Sequence, residues 1–262
     1  MQLPEKEPNK RNNPNSYYLL GVDVGRHGCT TEVMVIKVAP ARTGVPLKEV
    51  VNLFSFDEEH FGLQSIKIKK IFRQYHCKLA IIDANGLGTG LVDFLLTDQE
   101  DPDTGDFLPN FGVVNDEENR YRSFETEDTI ANAMYLMKAT APLNTQMYSY
   151  CQSQLNAGKI RFLIDENAAK NKLAGQSQSK NMTANERAEY LRPFVMTSIL
   201  RDQMLNLVEE TENLNIILKQ ATRSIKKDKF SALIYGVYWC KLEEDKGTRK
   251  RKRDISKLML FS

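Results

Sequence analysis

Runs of apolar residues divide the first third of the chain into strands. Tyr17–Asp23 is an apolar run that ends in an acid, and residues 30–38 and 47–56 are β-branched and partly alternating. Their short connections predict an antiparallel meander. Apolar residues at helical spacing over 63–75 then precede a compact strand of the buried type, Leu79–Asp83. Because strand, helix, strand is the order of a crossover unit, the pattern predicts a mixed-sheet α/β fold.

The rest of the chain alternates helices with isolated strands. The pattern predicts, in order, a short apolar helix ending at Leu96, a long acidic loop enclosing a strand at 111–114, a helix that Gly158 terminates, a strand at 160–164, a helix over 185–210 that restarts at Pro193, a strand at 214–220 and a last amphipathic helix from Phe230. Residues 165–183 are polar and ambiguous. The predicted sheet therefore has three antiparallel strands followed by parallel strands, with helices flanking it.

Length and composition are those of a soluble globular protein. The 262 residues are 41% hydrophobic and 27% charged, and no apolar stretch has the roughly 18 to 20 residues that a membrane span needs. The N-terminus has no apolar signal core, so a cytosolic protein with no membrane partner is expected. Four scattered cysteines form no C-x-x-C pair and are expected to be reduced core thiols. They are Cys29, Cys77, Cys151 and Cys240.

Composition and charge distinguish three segments. Residues 1–16 are rich in Pro, Asn and charge and are expected to be a linker or disordered tail; residues 17–245 form the folded domain, and residues 246–262 are a basic tail. Residues 97–130 hold 11 acidic and 2 basic side chains, whereas residues 222–262 hold 12 basic and 5 acidic ones. A polyanion could be gripped at one end and repelled at the other, although two solvated surface segments explain the same pattern.

Three acids stand where apolar elements end or begin. Asp23 closes the first strand in the segment GVDVG, Asp83 closes the strand LAIID, and Asp228 stands at the head of the last helix. Taken singly, they have ordinary explanations as turn acids and as a first-turn acid that favours the helix dipole. Three carboxylates converging at one sheet edge would repel one another. Divalent cations bound through oxygen ligands are the usual reason that a protein tolerates such an arrangement.

The same motifs carry a family resemblance. The segments GVDVG at the first strand, IIDANGLG at the fourth and KDKFSAL at the last helix together resemble the RNase H-like nuclease domain of the large terminase subunit of tailed bacteriophages. The likeness covers roughly residues 17–245 and implies an RNase H-like mixed sheet. It also implies that Asp23, Asp83 and Asp228 are catalytic carboxylates that hold two Mg²⁺ or Mn²⁺ ions. We expect Asp23, on the central strand, to bridge both ions.

The activity implied by the resemblance is that of an endonuclease in viral genome packaging. Such an enzyme cuts concatemeric double-stranded DNA and leaves 5′-phosphate and 3′-hydroxyl ends. Implied partners are double-stranded DNA, the terminase ATPase motor domain, the small terminase subunit and the portal protein of the procapsid, in the host cell cytoplasm. The sequence has no G-x-x-x-x-G-K-[ST] phosphate loop. It is therefore expected to be the nuclease half alone, with residues 1–16 as remains of an interdomain linker.

Basic residues beside the acids are predicted to hold the DNA backbone. They follow Asp23 or flank Asp228 in the sequence: Arg26, His27, Arg223, Lys226, Lys227 and Lys229. Phosphate contacts of this kind give affinity without reading sequence, and ordinary solvated charge is the alternative.

Neighbouring glycines and aromatic residues have structural explanations. The glycines are expected to permit a tight strand-to-helix turn. The aromatic residues are expected to belong to the core of the last helix. These residues are Gly86, Gly88 and Gly90, and Tyr235, Tyr238 and Trp239.

Three other functions fit parts of the sequence. GVDVG followed by Thr30 and Thr31 also suits the phosphate-binding strands of an actin-like ATPase or sugar kinase, although 262 residues are short for its two halves. A Holliday-junction resolvase would be a sister nuclease that prefers branched DNA. A catalytically inactive scaffold that docks the motor to the portal would cut nothing.

Overall fold

The structure is a computed structural model of the chain. It describes residues 2–11, 13–25, 30–41, 44–57, 60–175 and 181–259, with side chains in the last helix described as far as residue 247. In chain order the described elements are β1 (Tyr17–Asp23), β2 (Thr30–Ala39), β3 (Leu47–Asp57), α1 (Phe61–Gln74), β4 (Leu79–Asp83), α2 (Gly88–Leu95), β5 (Gln99–Glu100), β6 (Phe107–Leu108), β7 (Phe111–Val113), β8 (Ile130–Met137), α3 (Ala141–Asn156), β9 (Ile160–Arg161), α4 (Glu166–Ala174), α5 (Ala184–Leu205), β10 (Leu207–Glu212), β11 (Asn215–Gln220) and α6 (Asp228–Met259). None of these helices is both long and apolar enough to cross a membrane.

A mixed sheet of seven strands forms the centre of the described part of the chain, in the order β7-β8-β4-β1-β2-β3-β9. β1, β2 and β3 are antiparallel neighbours, whereas β4 pairs in parallel with both β1 and β8. The outer pairs, β7 with β8 and β3 with β9, are also parallel. The predicted meander and the parallel strands after it are confirmed. The carboxyl ends of β1 and β4 therefore meet at one edge of the sheet.

Different helices cover the two faces of the sheet. Alternate residues of a strand point to opposite faces, so Leu19 packs in the core that contains α6 while Leu20 and Val22 pack in the core that contains α1 and α2. Ile81 of β4 also lies in the α6 core, and Ile82 lies in the α1 core. With both faces buried, β1 and β4 are apolar until their terminal acids.

Two glycines allow α6 to approach the sheet closely. A Cβ atom on Gly21 would lie 2.0 Å from the carbonyl oxygen of Ala232, and one on Gly236 would lie 2.5 Å from Cδ1 of Ile36. The obstacle at Gly21 is main chain of α6, which cannot turn aside as a flexible side chain can. The helix that begins at Asp228 therefore lies directly on the strand that ends at Asp23.

The strand β8 is absent from the predicted elements. Its segment, IANAMYLM, is interrupted by Asn132, which has a left-handed φ of 56° and breaks the alternation on which strand prediction depends. The strand nevertheless lies beside β4 within the sheet. The predicted strand at 160–164 pairs only over Ile160–Arg161.

The C-terminal half also departs from prediction at the end of a helix. The helix predicted over 185–210 ends at Leu205, because β10 pairs with β11 around a tight turn in which Asn213 and Leu214 both have positive φ. Pro193 lies inside α5 and does not restart it. The last helix runs on to Met259, so the predicted basic tail from residue 246 begins within a helix.

The described part of the segment predicted to be a linker or disordered tail contacts the folded domain through Glu5. The carboxylate of Glu5 accepts a hydrogen bond from the hydroxyl of Tyr18 at 2.5 Å. It also forms an ion pair with the ammonium of Lys37 at 3.0 Å. Its carbonyl accepts a hydrogen bond from the hydroxyl of Tyr75 at 2.6 Å. Tyr18 and Tyr75 are fully buried, so their hydroxyls need these partners. Glu5, in the described segment 2–11, supplies both acceptors.

The cysteines that the structure describes are buried. Cys77, Cys151 and Cys240 are free thiols in the two cores. Burial raises the pKa of Cys151 to about 12, which keeps it protonated at neutral pH. Cys29 lies outside the described residues.

Replacing Gly21 by Ala should destabilise the protein by about 3 kcal/mol, because the added methyl group would force α6 away from β1. Urea unfolding monitored by circular dichroism measures the change. Gly175→Ala is the matched control: its Cβ would meet only ordinary contacts at 3.7 Å, and its φ of −78° suits alanine. Similar stabilities for the two variants would show that α6 does not require the close approach.

Candidate functional site

The first predicted acid, Asp23, lies in a row of polar side chains across the meander. Asp23 of β1 is paired in register with Glu32 of β2, which is paired with Ser55 of β3. Directly opposed residues of antiparallel strands project from the same face of a sheet. The Oγ atom of Ser55 donates to Oε2 of Glu32 at 2.6 Å. The row therefore brings two carboxylates side by side on the face that α6 covers.

The second acid, Asp83, is held at the end of β4 by a glycine-rich turn. Its Oδ1 atom accepts a hydrogen bond from the backbone amide of Asn85 at 3.0 Å. Gly86 has a φ of 52°, and a Cβ atom on Gly88 would lie 1.8 Å from the carbonyl oxygen of Asp83. Only glycine permits this close fold of α2 over the strand end. The expectation that these glycines form a tight turn is confirmed.

The third acid, Asp228, occupies the first turn of α6, where a negative charge suits the helix dipole. The segment 221–227 before it is fastened by Asn206, at the end of α5. The side chain of Asn206 donates to the carbonyl of Thr222 at 2.9 Å and accepts from its amide at 2.8 Å. Oε1 of Gln203 also accepts from the backbone amide of Phe230 at 3.2 Å. The start of α6 is therefore fixed by α5 from one side.

The charges of the other two acids act on Asp23. Burial raises the pKa of Asp23 well above its ordinary 3.8, and the negative charges of Asp228 and then Asp83 raise it further. Burial also raises the pKa of Asp83 and of Asp228. Asp228 is thus near Asp23, as the sequence predicts. A cation between such carboxylates would relieve both the desolvation and the repulsion.

The donor atoms at this edge fit a hard divalent cation. Asp23, Asp83 and Asp228 offer carboxylate oxygens, which Mg²⁺ and Mn²⁺ prefer. Within the residues that the structure describes, no group of three or more His, Cys, Asp or Glu side chains is placed so that it could hold a metal ion. The ligand role of the three acids stays a prediction that their chemistry and mutual repulsion favour.

The prediction that Lys229 contacts the DNA backbone is wrong. Its side chain is only 7% exposed, and its ammonium group is ion-paired with Oε1 of Glu32 at 2.5 Å. A buried, paired ammonium cannot reach a phosphate on the protein surface. The phase of α6 turns residue 229 toward the sheet, which a lysine-rich sequence does not reveal.

Glu32 is a site residue that the sequence reasoning missed. It is 4% exposed within the apolar strand TTEVMVIKVA, and its charge contributes to the raised pKa of Asp23. An acid inside such a strand is unusual, because a buried charge requires a partner. That signal was present in the sequence and could have identified it.

The other basic residues have different positions. Arg223 and Lys226 are exposed on the segment before α6, and Lys227 is partly buried there. The charges of Lys226, Lys229 and Lys227 oppose the rise in the pKa of Asp228, which places them beside that acid. Arg26 and His27 lie outside the described residues.

Two tyrosines border the acids. Tyr235, two turns after Asp228, is buried as predicted for the core of α6, as are Tyr238 and Trp239. The hydroxyl of Tyr235 also donates to Oδ2 of Asp83 at 3.4 Å. Tyr148 of α3 is near Asp23, whose charge raises the pKa of the tyrosine after the larger effect of burial.

Comparison with known proteins identifies the fold. No protein-family model and no curated protein matches the chain. The crystal structure of the large terminase nuclease from thermophilic phage G20c with bound magnesium superposes with a TM-score of 0.50 at 13% identity, covering 91% of this chain and 92% of that one. The chain has the large terminase nuclease fold. The cobalt-bound structure of the same phage protein gives a TM-score of 0.50 at 12% identity, over the same shares of the two chains.

The likeness confirms the predicted mixed α/β fold, in which three antiparallel strands are followed by parallel strands and flanked by helices. At 12% to 13% identity the likeness concerns the fold alone. The roles of the acids depend on the geometry and charge described above.

Replacing Asp23 by Asn should stabilise the metal-free protein at pH 7, because the charged carboxylate is buried beside other acids. A carboxyl whose pKa is raised in the folded state contributes stability below its unfolded pKa, near 3.8, and that contribution is lost as the pH rises. The advantage of Asn should therefore vanish near pH 4. Urea unfolding in EDTA at both pH values measures it.

The control is Asp103→Asn, because the side chain of Asp103 is 83% exposed. It should leave stability unchanged at both pH values. A less stable Asp23→Asn protein at pH 7 would mean that the acid has a favourable partner and is not repelled by its neighbours.

Proposed function

We propose that this chain is the metal-dependent endonuclease domain of a viral DNA-packaging terminase. The observation that supports the proposal is that Asp23 and Asp83 end neighbouring parallel strands and that the charges of Asp228 and Asp83 both raise the pKa of Asp23. The substrate class is concatemeric double-stranded DNA, and the reaction is two-metal hydrolysis of a phosphodiester. Magnesium and cobalt bound to the G20c nuclease support the use of divalent ions.

Each acid has a definite part in the proposed reaction. Asp23 lies between β2 and β4 and is repelled by both of the other acids, so it is the candidate for a bridging ligand. Asp83 and Asp228 would each complete the coordination of one of the two ions. When bound, two divalent ions supply activation of a water molecule and stabilisation of the leaving 3′ oxygen. No histidine base is then required.

The surrounding residues position these acids. The hydroxyl of Tyr235 and the amide of Asn85 hold the two oxygens of Asp83. Asn206 fastens the segment from which Asp228 emerges. Groups held in this way keep ligands in orientation before a metal binds, which reduces the cost of ordering them.

The exposed basic segment before α6 is the proposed contact for the DNA backbone. Arg223, Lys226 and Lys227 lie on the segment that precedes Asp228, and the charges of both lysines act on that acid. Cations there would hold phosphates beside the groups that cut them. Such contacts give affinity without sequence preference.

The wider packaging role is part of the proposal. The partners would be the terminase ATPase motor domain, the small terminase subunit and the portal protein of the procapsid, in the host cell cytoplasm. The fold shared with phage large terminase nucleases supports this setting.

Asp23→Asn and Asp83→Asn should each lower the rate of plasmid nicking in Mn²⁺ by about 100-fold or more, because each removes a charged metal ligand. Conversion of supercoiled plasmid to open-circular and linear forms measures the rate. Asp103→Asn, an exposed acid outside the site, should keep full activity. A wild-type protein without nicking activity in either Mg²⁺ or Mn²⁺ would favour the inactive scaffold, and strong preference for branched DNA would favour a resolvase.

Replacing both Arg223 and Lys226 by Gln should weaken binding to duplex DNA and reduce the slope of log affinity against log salt by about 2, since each lost phosphate contact removes about 0.9. Fluorescence anisotropy in Ca²⁺ at several salt concentrations measures this. Arg161→Gln is the control, because β9 pairs with the opposite end of β3. Because Arg161→Gln removes one cation and the test variant removes two, a loss half as large in the control would mean that DNA is attracted by net charge alone.

A further inference from the structure

A closed network of three side chains lies beneath the start of α6. The ammonium of Lys229 is paired with Oε1 of Glu32 at 2.5 Å and donates to Oγ of Ser55 at 3.1 Å. Ser55 in turn donates to Oε2 of Glu32 at 2.6 Å. Glu32 and Lys229 have side-chain exposures of 6% and 7%. Both carboxylate oxygens of Glu32 are therefore engaged by partners within the protein.

The network joins the start of α6, which carries Asp228, to the strand β2 that pairs with Asp23 of β1. Glu32 is the cross-strand partner of Asp23, and Lys229 is the residue after Asp228. The ion pair is thus a direct polar link between the meander and the first turn of α6. The ion pair between Glu32 and Lys229 therefore limits the distance between Asp228 and Asp23.

The network also sets the charge of the site. Glu32 would be a fourth carboxylate in this cluster, since its charge reaches both Asp23 and Asp228. The ammonium of Lys229 balances it and leaves three acids for cations. Buried ion pairs contribute little net stability, because desolvation opposes their attraction, so a role in specifying geometry is the better explanation for one retained here.

We propose that Glu32 and Lys229 form a positioning pair that holds Asp228 in place and limits the negative charge available to divalent ions. The inference rests on the proposed metal-dependent function. In this arrangement neither residue touches the DNA or a metal ion. Lys229 is kept from Asp228 by Glu32, and Glu32 is kept from the ions by Lys229.

Loss of the two partners should have opposite effects on metal affinity. In Glu32→Gln the ammonium of Lys229 loses its buried counter-ion and is free to pair with Asp228, where it competes with a divalent ion. In Lys229→Met the charge of Glu32 is uncompensated and adds to the attraction for cations. A purely structural role predicts the same direction in both variants, since each would loosen α6.

The test is a calorimetric titration of each folded protein with MnCl₂ in the absence of DNA. Affinity should fall about tenfold in Glu32→Gln and rise about tenfold in Lys229→Met, while the double variant should stay within about threefold of wild type. The nicking rate should fall in all three variants, because Asp228 loses its anchor. Glu5→Gln, which breaks an ion pair with Lys37 outside the site, is the control and should leave the affinity unchanged.

Changes of the same sign in the two single variants, or no change in either, would overturn the inference while leaving the proposed function intact. A wild-type protein that binds no Mn²⁺ would instead contradict the proposed function, and the positioning pair with it. If Lys229→Met does not fold, Lys229→Gln takes its place, with the same expected rise in affinity.

Discussion

Direct contact between the backbones of β1 and α6 is the constraint on which the site depends. The carbonyl of Ala232 occupies the space that a side chain at Gly21 would need, and Gly236 makes room for Ile36 in the same way. Helix and strand therefore meet with no side-chain layer between them at this point. Because Asp23 is two residues beyond Gly21 and Asp228 is one turn before Ala232, this contact also brings the two acids together.

That arrangement is electrostatically costly, and the surrounding structure shows how the cost is distributed. The charged form of Asp23 is disfavoured by burial and by two neighbouring acids. Asp83 is partly relieved by the amide of Asn85 and the hydroxyl of Tyr235, whereas Glu32 is relieved by Lys229. Among the residues that the structure describes, no hydrogen-bond donor offsets these effects at Asp23, and the charge of Lys227 opposes them only as a smaller effect. The most strained charge is thus the one at the centre, where a divalent cation would relieve repulsion from both sides.

Much of this could be predicted from the sequence, and the failures have physical causes. β1 and β4 are buried on both faces, so their apolar runs and terminal acids give their limits correctly. β8 is missed because Asn132 breaks its pattern, and the contacts of Glu5 with Tyr18 and Tyr75 are missed because they join residues far apart in sequence. Pairing across long sequence separations is invisible to local periodicity.

Lys229 shows the same limit within the site itself. A run of lysines around Asp228 suggests a uniform basic surface, yet helix geometry separates these residues, because consecutive positions on an α-helix point about 100° apart. Phe230 and Leu233 are buried, and Lys229 is directed beneath the helix to Glu32 while Lys226 stays exposed before it. The identity of its partner required the register between β1, β2 and β3. The charge of Lys229, which the sequence suggests is directed at DNA, is thus used inside the protein to balance Glu32.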